Sequence, residues 1–181
     1  MRRYLRSFFC SLFIFIALCV GNLPAHAASA EEIVYADVAG YLGQNEEARW
    51  IVDAILYASS VYGVDPFLVT AMMEQESHFY IGSLSHAGAI GLMQLMPDTA
   101  RIVGVDPYLP LDNILGGVAH IRDLLMTFSS WGAYGVTYAV AAYNAGAQAV
   151  FDYQGVPPYP ETIDYVYGVS EKYHQLLGLY G

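Results

Sequence analysis

The sequence predicts a mostly helical single domain. Two segments, Glu46 to Tyr62 and Asp112 to Phe128, space their apolar residues at a helical period, and glycine or proline punctuates the chain between periodic stretches. No internal repeat, long linker or low-complexity block divides the 181 residues, a length that suits one domain.

The opening segment is read as separate from that domain. Met1 to Arg6 is basic, and Ser7 to Val20 forms a nearly uncharged apolar run, as a secretory signal requires. Cleavage is expected after Ala27, with the Ala28-Ser29-Ala30 triplet as a second choice. A retained anchor is the alternative, but the apolar run falls short of the roughly 20 residues that span a bilayer. No stable membrane anchor is therefore expected. Both cysteines, Cys10 and Cys19, fall inside this segment, so the mature chain has neither a disulfide nor a cysteine metal site.

Four basic residues, Arg49, Arg101, Arg122 and Lys172, then face all 17 acidic ones. That balance argues against nucleic acid, whose nonspecific binding is driven by counterion release from Lys and Arg contacts. It argues equally against an anionic membrane surface. The tyrosines, all but Tyr4 of the 16, offer flat faces with a polar edge that suit sugars, although packing explains many of them.

Residues 28–44 show no sustained period and read as a mature N-terminal lead, with the domain occupying 45–181. In the first helix Trp50, Ile51, Ala54, Ile55, Ala58 and Val61 make the expected buried face, and Gly63 ends it. Asp65-Pro66 supplies a cap and a proline at the first helical position, opening a second helix to about Phe79 that buries Leu68, Met72 and Phe79. Glu76 continues the fourfold spacing of Leu68 and Met72, so it falls on or beside the packed stripe.

Gly82 to Gly91 reads as a loop, followed by a short helix from Pro97 to Val103. Asp112 is a candidate cap for the next helix, to Phe128. A further helix runs through Tyr138, Ala141 and Ala142 toward Asn144. Val156-Pro157-Pro158-Tyr159-Pro160 cannot continue a helix, and the last one is expected from Glu161 or Thr162 to Leu177.

The ordered blocks of the domain carry a further reading. Glu76-Ser77-His78-Phe79, Gly88 to Ala100 with Gly91-Leu92-Met93-Gln94 at its centre, Ala141-Ala142-Tyr143-Asn144-Ala145-Gly146, and Glu161-Thr162 with Tyr165-Val166 occur in that order. This arrangement resembles the catalytic domain of the soluble lytic murein transglycosylases, and Asp112-Asn113-Ile114 with Gly117 matches their connecting segment. The likeness spans roughly Trp50 to Leu177. It implies a lysozyme-like fold of goose type, a single domain with a cleft for peptidoglycan glycan strands, and no cofactor.

The resemblance makes Glu76 the catalytic acid and then base, with the muramic acid N-acetyl group assisting and the C6 hydroxyl closing a 1,6-anhydro ring. It assigns catalytic support to Ser77 and Tyr143, and substrate contacts to Met93, Gln94, Asn144, Glu161 and Tyr165. Each has a plainer reading on sequence alone. Glu76 suits an exposed helix carboxylate, Ser77 a surface or back-bonded hydroxyl, Met93 a core side chain, and Glu161 a helix-start acid drawn to the positive helix end.

Tyr80 to Leu84 departs from the Asn/Pro-rich stretch of many relatives and so alters the cleft rim, and Tyr153 to Pro160 bears on strand access. The resemblance further implies export to the periplasm, or outside a single-membraned cell, and leaves room for a protein partner in the wall or in an exported machine. A metal enzyme is disfavoured because His78, His86, His120 and His174 form no HExxH pattern, and no GxSxG elbow supports a serine hydrolase. Two alternatives stay open: a hydrolytic muramidase on the same fold, and a noncatalytic glycan-binding or wall-assembly protein.

Overall fold

The computed structural model describes residues 28–178. Residues 1–27, expected from the sequence to be an export signal, lie outside them. Among the described residues are eight α-helices, and extended pairing is confined to isolated bridges.

The supposed lead is a helix. α1 (Ala30–Leu42) starts at a reciprocal cap, in which Ser29 Oγ accepts from the Glu32 amide and Glu32 Oε2 accepts from the Ser29 amide at 2.7 Å. Val34 and Val38, four residues apart, are fully buried, and burial of each valine is worth roughly 1.5–3 kcal/mol. A stripe only two residues wide leaves no sustained period in the sequence, yet it makes α1 part of the core.

α2 (Glu46–Tyr62) ends, as expected, at Gly63 in the left-handed region, and it is capped by Asn45. Its buried face is rotated from the predicted one. Ala48, Ile51, Val52, Ala54, Ile55 and Ala58 point inward, whereas Trp50 and Val61 are exposed. α3 (Pro66–Ser77) uses the Asp65 cap, whose carboxylate accepts from the Phe67 amide at 2.9 Å. It stops two residues earlier than predicted because His78 and Phe79 both adopt positive φ, which turns the chain while keeping Phe79 buried.

α4 (Pro97–Val103) agrees with expectation. α5 (Pro110–Phe128) begins two residues before Asp112, on Pro110, and the Asp112 carboxylate accepts from the Asp106 amide rather than capping its own helix. α6 (Gly135–Ala145) follows a 3-10 turn, Gly132–Tyr134. α7 (Ala147–Tyr153) was not predicted; Val150 is its one fully buried side chain, which carries no period. α8 (Pro160–Leu176) starts on proline at its first position.

α3 packs along α8, and α5 along α6, around a core that includes Phe79, Phe128, Ile51, Ile55, Met72, Met73 and Ile121. The last turn of α3 therefore emerges between α6 and α8. That geometry sets Glu76 where two other helices converge.

α1 is held by charge as well as packing. Lys172 Nζ on α8 lies 2.9 Å from Asp37 Oδ1 on α1 and 2.7 Å from Glu74 Oε2 on α3, and Tyr41 donates to Glu74 Oε1 at 2.8 Å. Burial opposes the Lys172 charge, but its hydrogen bonds to Glu74 and Asp37 outweigh that and raise its pKa to about 12. Burial pushes the Asp37 carboxyl up despite Lys172 beside it. Glu74 thus faces α1 and α8, and the two neighbouring glutamates serve different surroundings.

Candidate active site

Glu76 is half-buried on the last turn of α3. Burial, which penalises the charged form, raises its pKa to about 7; the Tyr165 hydroxyl pulls it down and the Glu161 carboxylate pushes it up. A carboxyl group so held can give up a proton near neutral pH and take one back.

It opens into a cavity of about 510 Å³. Gln94, Tyr143, Asn144, Glu161 and Tyr165 line the same cavity, so five further residues predicted for the site converge on Glu76. Asp164 and Met96 also line it, and the sequence reading singled out neither. Asp164 lies three residues after Glu161 on α8, a spacing that places both on one helix face. A larger groove of about 740 Å³ between α6 and α8 is walled by Val136, Val140, Val166 and Val169 and has no carboxyl group in its lining. Of these two cavities, only the smaller one is lined by Glu76.

Tyr143 stands near the end of α6, and its hydroxyl donates to the Met93 carbonyl at 2.8 Å. Burial first, then the nearby Glu76 charge, holds its pKa well above the ordinary tyrosine value. It is a neutral hydrogen-bonding wall. Tyr165 is 6% exposed, and its buried hydroxyl stands beside Glu76 with no acceptor in hydrogen-bond geometry. The hydroxyl is close enough to act on the Glu76 carboxyl, and a small shift of that group completes the bond. Glu161, one helical turn earlier, is exposed at the rim.

Asn144 is partly committed to structure. Its Oδ1 accepts from Thr162 Oγ1 at 2.7 Å, tying the end of α6 to the first turn of α8. Gln94 sits at positive φ in the turn after Gly91, and its Nε2 donates to the Gly91 carbonyl at 2.8 Å, which fixes the amide at the cavity wall.

Two assignments change. Met93, expected to touch substrate, has a fully buried side chain absent from the cavity lining. It packs on α5 so closely that a Cβ at Gly117 would sit 2.5 Å from its own Cβ, and only its carbonyl serves the site, as the acceptor for Tyr143. Ser77 is buried, and its hydroxyl donates to the Leu92 carbonyl at 2.8 Å rather than orienting Glu76.

The sequence reading also gave no site role to two other neighbours. His120 on α5 has its ring centroid 5.2 Å from that of Tyr143, and burial lowers its pKa, so it is a neutral neighbour. Asn113, also on α5, is 1% exposed and bonds to the loop that carries Gln94. Its only trace in sequence is a place in the connecting segment.

The fold is that of a lysozyme-like helical domain, with the half-buried Glu76 carboxyl at the wall of a cleft. The model of the Transglycosylase SLT domain family matches residues 53–163, and the chain belongs to that family. Among its relatives, the transglycosylase of Enterobacteria phage PRD1 is 41% identical over 90 residues, covering 49% of this chain and 32% of that protein. Membrane-bound lytic murein transglycosylase F of Cellvibrio japonicus is 36% identical over 122 residues, covering 66% of this chain and 24% of the relative.

The same fold is found in the 70 kDa soluble lytic transglycosylase of Escherichia coli, solved in complex with bulgecin A. That likeness has a TM-score of 0.61 and 25% identity, over 82% of this chain and 28% of the other. An inactive mutant of lytic transglycosylase Slt from Pseudomonas aeruginosa also shares the fold, with a TM-score of 0.61 and 24% identity over 83% of this chain and 31% of that one. The chain spans about a quarter to a third of the length of these relatives.

Proposed function

We propose that the protein is a peptidoglycan lytic transglycosylase that cleaves the β-1,4 bond between N-acetylmuramic acid and N-acetylglucosamine, with Glu76 as general acid and then general base. The observation that carries this reading is the Glu76 carboxyl, raised to about 7 by burial at the wall of a cleft lined by tyrosine and amide groups. The family and the names of its relatives support the reaction class.

In the first step the Glu76 carboxyl protonates the glycosidic oxygen as the bond to the muramic anomeric carbon breaks, with the acetamido oxygen of the same sugar assisting. The resulting Glu76 carboxylate then takes the proton of the C6 hydroxyl while that oxygen attacks the anomeric carbon. Glu76 returns to its starting state, no water is consumed, and the strand ends in a 1,6-anhydro ring. A group with a pKa near the working pH serves both transfers.

Tyr143, Tyr165 and Gln94 would shape and hydrogen-bond the sugar around the reacting bond, while Glu161 contacts it from the rim. Ser77, Asn144 and the Met93 backbone act as supports for that wall. Peptidoglycan strands are the substrate in this reading, and export to the periplasm by a signal over residues 1–27 would bring the enzyme to them. No helix among the described residues is long and apolar enough to cross a membrane.

Digestion of purified sacculi by wild-type protein, followed by mass spectrometry of the released fragments, tests the reaction. Anhydromuramoyl ends are expected. Reducing muramic ends would transfer the protein to the hydrolytic alternative, and binding without release to the noncatalytic one.

A further inference from the structure

The geometry points to Asn113 as a positioning residue of the Glu76 site, acting through the peptide between Leu92 and Met93. This inference rests on the reading of Glu76 as the acid.

Asn113 is 1% exposed on α5, and its amide is almost fully used. Oδ1 accepts from the Met93 amide at 2.8 Å, and Nδ2 donates to the carbonyls of Ile90 at 2.7 Å and Pro107 at 3.0 Å. The same peptide unit is gripped at its other end, because the Leu92 carbonyl accepts from Ser77 Oγ, the residue after Glu76. One peptide plane is therefore fixed between the helix that bears the acid and the helix that bears Asn113. A planar group clamped at both N–H and C=O has little freedom to rotate.

The next carbonyl along, that of Met93, receives the Tyr143 hydroxyl. Its direction follows from the clamp, and it fixes where the Tyr143 ring stands. The loop has been fitted to this amide: Gly91 has a φ of +74°, and a Cβ there would lie 2.6 Å from Asn113 Nδ2. Asn113 has no place in the cavity lining. Its effect on chemistry must pass through the loop.

Glu76 is faced by Tyr143 from α6 and by Tyr165 and Glu161 from α8, with His120 of α5 against the Tyr143 ring. The largest influence raising its pKa is burial, which the Tyr143 wall helps to maintain. Loosening the clamp admits water, and the carboxyl then returns toward its ordinary range. A buried amide that served stability alone would lower the folded fraction without moving the pH dependence of the enzyme that remains folded.

The test is sacculus digestion from pH 4.5 to 9 by N113A, N113D and G91A, with V118A, a core change on the same helix, as a stability control. Asp at 113 keeps the acceptor for Met93 but cannot donate to Ile90 and Pro107, and Ala at 91 crowds the amide from the loop side. All rates are taken well below each variant's melting temperature. Turnover is expected to fall roughly 10- to 100-fold for the Asn113 variants, the scale of a small misplacement in a catalytic site, with KM within about threefold.

The alkaline limb of the profile should move down by about half a unit or more. V118A should melt earlier with the wild-type limb. Should N113A fail to fold, N113D and G91A carry the same expectation.

Wild-type turnover and limb in the folded variants, or an equal shift in V118A, would overturn the positioning role. E76Q in the same assay separates the two ideas. If E76Q stays active the acid assignment fails, and if it is inactive while the Asn113 variants match wild type, only the positioning inference fails.

Discussion

Tyr143 donates its hydroxyl to the carbonyl of Met93 at 2.8 Å, joining α6 to a loop 50 residues earlier in the chain. The bond holds the aromatic wall beside Glu76. Tyr143→Phe keeps the ring and loses the bond, so turnover on sacculi should fall by about tenfold, the rate equivalent of one buried hydrogen bond. Tyr143→Ala also opens the wall to water and should cost more. Equal activity of both variants and wild type would remove the role.

Turnover should fall as pH rises past neutrality. Glu76 is protonated below about 7, so the first proton transfer should be available there and lost as pH rises through that value. Glu161 raises the Glu76 pKa and the Tyr165 hydroxyl lowers it. Glu161→Gln should therefore move the alkaline limb down, and Tyr165→Phe should move it up. Both shifts should be smaller than the one burial produces, and two limbs moving the same way would contradict this arrangement.

Lys172 gives a prediction about stability. Its side chain and those of Asp37 and Glu74 are 12–19% exposed, and it is the cation between the two carboxylates. Its raised pKa means that its contribution is fully present below the ordinary value of 10.5 and is lost as pH climbs through about 12. Lys172→Met should destabilise the protein by about 3 kcal/mol at pH 7, since it leaves two carboxylates unpaired. At pH 4, where the raised Asp37 carboxyl takes up its proton, the loss should shrink. Urea titrations at both pH values check this, and a loss independent of pH would count against it.

Residues 28–181 should fold without metal or disulfide, because both cysteines lie before Ala28. Treatment with EDTA should leave the helical circular-dichroism signal unchanged. A drop in that signal would reveal a metal dependence that the sequence does not suggest.

How much was legible in the sequence follows from the range over which each signal acts. Gly63 and Asp65-Pro66 act within a turn, and the helix ends they imply stand where local chemistry puts them. Glu76, Gln94, Tyr143, Glu161 and Tyr165 were found together because their blocks occur in a recognisable order, and all five line one cavity.

What escaped depends on contacts that sequence spacing does not encode. α1 docks through two valines and an ion pair to Lys172, 135 residues away. The side chain of Met93 turns into the core because Gly117 leaves room for it, and Asn113 matters through three hydrogen bonds to backbone groups outside its own helix.

The most direct measurement is product release from purified sacculi by Glu76→Gln beside wild type and Glu74→Gln. Glutamine keeps the shape of Glu76 but cannot exchange the acid proton, and a positioned acid or base is worth roughly 10²–10⁴-fold in rate. Glu74→Gln touches the Lys172 cluster rather than the cleft and should retain far more activity once its stability loss is allowed for. The acid role of Glu76 requires that folded Glu76→Gln still binds sacculi and releases essentially no anhydromuropeptides. Near-wild-type release by that variant would contradict it.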